Sequence, residues 1–143
     1  MAVYVDDANI RADVPNGGRV VRGRWSHLIA DTPEELHAFA DRLGLRRSWF
    51  QEPKGFGGVP PKPESRAAQN WHYDVTATKR AEAIRLGAVA VTSRDMSVII
   101  DARHARLFPE AAAEYQRRRA ESAAKWRHLA EYPVDTEAGD DGS

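Results

Sequence analysis

Residues 72–95, HYDVTATKRAEAIRLGAVAVTSRD, decide how the chain is read. Thr76 or Asp74 suits a helix N-cap, strong helix formers run to about Leu86, and Gly87 is the residue that most readily ends a helix in the left-handed conformation. The β-branched run AVAVT behind it predicts a buried strand. Two acids bracket this helix-then-strand unit, Asp74 before it and Asp95 after it. Such acids either cap and solvate the unit or meet other acids across a cleft to hold a metal.

The same logic extends to both sides. VYV at the N-terminus is a short β-prone run that stops at Asp6 and Asp7, and a second strand is predicted around residues 25–30. DTPEELHAFADRLG carries complete helix signals. Asp31 or Thr32 is the N-cap, Pro33 opens the first turn, Glu34 and Glu35 complement the dipole, and Gly44 stops the helix. Leu36, Phe39, Ala40 and Leu43 share its buried face. LRRSWFQ predicts a third strand, and residues 95–104 a short helix. PEAAAEYQRRRAESAAKWRHLAEY predicts a long one.

Residues 52–70 hold four prolines and three glycines, which predicts a flexible loop. The expected organisation is a single α/β domain over 1–132, then a disordered acidic tail over 133–143. Alternating elements of this kind imply a small, mainly parallel sheet with helices packed on it, Rossmann-like in class, plus the long C-terminal helix. In such layers chemistry gathers at strand carboxyl ends, where Asp6, Asp7 and Asp95 are predicted.

Composition narrows the function classes. At 42% hydrophobic and 29% charged residues, with no apolar run near the ~20 residues of a membrane span, the expectation is a soluble protein. The N-terminus lacks the features of a secretory leader, and zero cysteines suit a reducing cytoplasm while excluding disulfides and thiolate chemistry. Basic and acidic residues balance at 21 each, but Asp135, Glu137, Asp140 and Asp141 lie in the tail, so the rest of the chain carries a surplus of four positive charges. That permits a polyanionic partner. There is no P-loop, dinucleotide fingerprint, Gly-x-Ser-x-Gly elbow or HExxH zinc helix.

The candidate chemistry rests on acids and histidines. Clustered strand-end carboxylates suit Mg or Mn, hard ions that polarise phosphodiesters. His27 and His72 each precede an aspartate, Asp31 and Asp74, so either is a candidate general base or transition-metal ligand. Lys79 and Arg80 sit at a predicted helix start, where cations oppose the dipole and a bound phosphate would relieve them. Tyr73, Trp71, Trp49 and Phe50 bracket the loop and are candidates to stack on a base or close a core.

VYVDD, WSHLIADTPEELHAFADRLG and HYDVTATKRAEAIRLGAVAVT together resemble a family of small bacterial and phage proteins known only as a domain of unknown function. The resemblance spans most of residues 1–94 and implies that SHLIAD and the HYD and KR of HYDVTATKR are family features. The stretch between Gln51 and Trp71 is longer than that pattern. A more remote likeness is to PIN-like nucleases, carried by Asp6 after the first strand, Asp74, Gly87, Thr92 and Asp95. It implies a PIN-like fold and a metal-dependent nuclease or phosphodiesterase acting on nucleic acid or a nucleotide. Asp6, Asp74 and Asp95 would hold the metal, Asp7 and His72 would serve as further ligand or base, and Lys79, Arg80, His27 and Tyr73 would bind substrate. The alternative is a non-catalytic nucleotide- or protein-binding α/β module.

Overall fold

A computed structural model describes residues 2–131; the tail expected to be disordered, 133–143, lies outside them. Asn16 is followed by two glycines, and this pair sets the topology. Gly17 and Gly18 have φ of 54° and 82°, the left-handed region that a two-residue hairpin turn requires at both positions. They join β2 (Ile10–Asn16) to β3 (Arg19–Ala30) as an antiparallel hairpin.

β3 is the axis of the sheet. Its first half pairs with β2, and its second half lies between β1 (Val3–Val5) and β5 (His72–Thr76), antiparallel to both. β4 (Phe50–Gln51) extends the β5 edge antiparallel, and β6 (Val89–Ala90) pairs with β1, the one parallel contact among the described residues, giving the order β4-β5-β3-β1-β6. The sheet is therefore mostly antiparallel, contrary to the mainly parallel Rossmann-type sheet expected from alternation of elements. That expectation placed no strand at residues 10–16 or 72–76 and so missed β2 and β5. HYDVT abuts α2 (Ala77–Arg85) with no linker, and Thr76 both ends the strand and caps the helix by accepting from Lys79 N–H at 3.3 Å.

Helices cover both faces. α1 (Pro33–Leu43) is capped by Thr32, closed by Gly44 at φ 79°, and buries Leu36, Phe39, Ala40 and Leu43 as predicted. With Ala83 of α2 it packs on Val5, Leu28, Tyr73 and Val75, alternate residues of three strands that share one sheet face. The opposite face offers Ile29 and Tyr4 to Met96 and Ile100 of α3 (Ser93–Leu107), while α4 (Pro109–Ala130) packs on α3. β6 was expected to be buried, but Val89 and Ala90 are both exposed because the strand is a sheet edge.

The loop 52–71 contains little regular structure, yet its second half is tied to α3. The buried Arg103 guanidinium donates to the carbonyls of Gln69 and Ala30 and lies 4.0 Å over the Trp71 ring. Burial lowers its pKa to about 10, which leaves it charged at neutral pH. Arg66 pairs with Asp101 at 3.0 Å, and His104 Nε2 donates to the Glu64 carbonyl at 2.8 Å.

Candidate metal centre

On a strand, residues two apart share a face, and in an antiparallel pair directly opposed side chains are nearest neighbours. His27 of β3 stands opposite Asp74 of β5, and His72 is two residues along β5 on the same side. His72 Nε2 lies 3.3 Å and His27 Nε2 4.0 Å from Asp74 Oδ1, and the two imidazoles meet edge-on with centroids 5.0 Å apart. One nitrogen from each histidine and one oxygen of Asp74 all fall within 4.8 Å of one another. All three side chains are partly open to solvent.

Behind His27 sits a fourth residue. Between the pairs Val5↔Leu28 and Ile10↔Trp25, residues 6–9 oppose only residues 26 and 27, and this bulge, with Asn9 at φ 50°, turns Asp6 in against β3. Asp6 is 2% exposed. Its Oδ1 accepts from the backbone N–H groups of His27 at 2.8 Å and Ala8 at 3.2 Å, and its Oδ2 lies 2.7 Å from His27 Nδ1. Burial alone would raise the Asp6 carboxyl, but the hydrogen bonds from the His27 ring and backbone outweigh it and hold the carboxyl below its ordinary value. His27 moves the other way: its hydrogen bond to Asp6 raises it against the effect of burial. A carboxylate on Nδ1 fixes the neutral ring as the Nδ1–H tautomer and turns the Nε2 lone pair toward Asp74 and His72.

Residues 3–103 match the family described as Protein of unknown function (DUF4031). The chain belongs to that family. No curated protein and no solved structure matches it.

In this DUF4031 chain the expected site residues divide. Among the described residues, Asp6 and Asp95, expected as ligands beside Asp74, do not join its cluster. Asp6 is engaged by His27 and Ala8, and Asp95 forms a capping box with Thr92 at the start of α3. Asp7, a candidate ligand or base, accepts from the Ser93 N–H at 2.9 Å on the same helix start. Lys79 Nζ donates to the Leu43 carbonyl at 2.8 Å, closing the end of α1, and to Glu82 at 3.3 Å. Arg80 Nε donates to the Asp6 carbonyl at 2.7 Å and so braces the bulge. Tyr73, expected at the substrate, is a core residue whose hydroxyl meets His37 Nδ1 at 2.8 Å. Asp31 accepts from Ala2 N–H and the Tyr4 hydroxyl. The signal for the site was HYD itself: a His-x-Asp spacing puts both side chains on one face only if the segment is a strand.

Proposed function

We propose that the protein is a divalent-metal-dependent hydrolase of phosphate esters, with His27 Nε2, His72 Nε2 and Asp74 Oδ1 as ligands. One observation carries the reading: three donor atoms converge on a partly open sheet face, with a buried carboxylate orienting one of the imidazoles. Two imidazoles and one carboxylate are a donor set for zinc, iron(II), cobalt or manganese rather than for magnesium. Three protein ligands leave coordination positions for water and substrate. When bound there, such an ion supplies Lewis acidity toward a phosphoryl oxygen and toward water. Asp6 fixes the tautomer and direction of His27, and Arg80 holds the backbone that carries Asp6. This differs from the three-aspartate site of the nuclease reading, while keeping its substrate class.

Calorimetry with Zn²⁺, Co²⁺ and Mn²⁺ tests the proposal. One ion bound per chain is expected, with binding lost in His72→Ala and His27→Ala, and the loaded protein should hydrolyse a chromogenic phosphodiester or phosphomonoester. No binding of any of these ions would sink the reading. Binding without turnover would favour the non-catalytic module.

A further inference from the structure

A groove of about 500 Å³ runs along the β5 edge, where β4 is too short to continue the sheet. Its lining includes Pro15, Trp25, Trp49, Asp74, Thr76 and Lys79. Asp74 belongs to both the groove lining and the histidine cluster, so the two adjoin at that residue. Trp25 lies two residues before His27 on β3, on the same sheet face, with its indole N–H donated to the Ala12 carbonyl at 3.0 Å. That bond fixes the ring at the base of the hairpin arm. Trp49, on the short 3-10 turn Arg47–Trp49, is 37% exposed and has the Arg46 guanidinium 5.6 Å from its ring centre. A large exposed indole beside a groove of ligand size is costly to leave in water and favourable to stack against.

The charges select the rest of the occupant. An ammonium has three N–H donors, and among the described residues Lys79 uses two, on Leu43 and Glu82. Lys79, Arg46 and an ion at Asp74 would together favour an anionic group on a molecule whose other part is flat and unsaturated.

We infer that this groove binds a nucleotide, its base stacked on Trp49 and Trp25 and its phosphate directed past Lys79 to the metal centre. The inference rests on the metal reading for the phosphate end and on the groove alone for the base. Base-plus-phosphate chemistry is shared by a free mononucleotide and by the end of a single-stranded oligonucleotide.

The test measures binding of adenosine, AMP, ribose 5-phosphate and a short single-stranded oligonucleotide to the full chain, with and without Zn²⁺, in the parent, Trp49→Leu and His72→Ala. Stacking contributes about 1–3 kcal/mol per base, so AMP should bind roughly 5- to 150-fold more tightly than ribose 5-phosphate. Trp49→Leu should remove most of that advantage while Zn²⁺ binding is unchanged. His72→Ala should weaken AMP but leave adenosine as in the parent. A tighter oligonucleotide than AMP assigns the site to a strand end, and the reverse to a mononucleotide. If AMP and ribose 5-phosphate bind alike, or adenosine and AMP are indifferent to Trp49→Leu, the groove assignment is overturned whatever the metal does. If Zn²⁺ does not bind but adenosine binding depends on Trp49, the metal reading fails and the base site stands.

Discussion

Asp6 controls His27 through two atoms, the ring Nδ1 and the backbone N–H, and its value as a positioning residue lies in its pH signature. Outer-shell carboxylates typically account for 10- to 100-fold in metal affinity. Asp6→Asn is therefore expected to weaken Zn²⁺ by about that factor near pH 8. Asp6 also raises the His27 pKa, and a proton on Nε2 competes with metal. Affinity in the parent should fall as pH drops through that raised value, and in Asp6→Asn the midpoint should move to lower pH. An unchanged midpoint in a calorimetric pH series would remove the positioning role.

The same pair sets a stability window without metal. The Asp6 pKa is lowered on folding, so its contribution is present above the ordinary 3.8 and lost as pH falls through the folded value. The His27 pKa is raised, so its contribution is present below the ordinary 6.5 and lost as pH rises through the folded value. The difference in melting temperature between metal-free parent and Asp6→Asn should thus be largest between those two ordinary values. A difference that grows steadily toward alkaline pH would contradict the pairing.

At the level of elements, α3 depends on its start. Thr92 accepts from Asp95 N–H at 3.0 Å, Asp95 returns the bond to Thr92 N–H at 3.4 Å, and Asp7 holds the Ser93 N–H. Thr92→Ala should cost about 1 kcal/mol in urea denaturation and Thr92→Asp much less, because either hydroxyl or carboxylate serves as a cap. Equal losses would mean the cap is not what the threonine supplies. The loop 52–71 carries a second element-level expectation. Gln69 is buried, its side-chain amide donates to the Pro63 and Ser65 carbonyls, and its N–H bonds to Arg66. Hydrogen exchange should be slow at Gln69 and Asn70 and fast over 53–61, and uniform fast exchange across the whole loop would show that α3 does not anchor it.

For the molecule as a whole, metal binding should appear as thermal stability. A ligand that binds only the folded chain adds about 2.7 kcal/mol at a hundredfold excess over Kd. For a domain of this size that is a rise of roughly 5–10 °C in Tm. The parent should show it with Zn²⁺ and His72→Ala should not, and an equal rise in both would place the ion elsewhere. Among the described residues no helix is long and apolar enough to cross a membrane.

Local signals were enough for the helices. Thr32, Pro33 and Gly44 frame α1, Thr76 opens α2, and the apolar spacing of Leu36, Phe39, Ala40 and Leu43 names the face that is buried, because caps and period are properties of a few adjacent residues. Asp74 and His72 were also legible as chemical residues, and His27 as a possible ligand. Their assembly was not. Which side chains meet depends on strand register and on which hairpin forms, and these are set by pairing between segments as far apart as β1, β3 and β5. Short strands such as HYDVT carry too few residues to reveal a period of two against an adjoining helix. Only the tertiary structure brought His27 opposite Asp74, turned Asp6 behind the ring through the bulge at 6–9, and set Asp7 against the Ser93 N–H of α3.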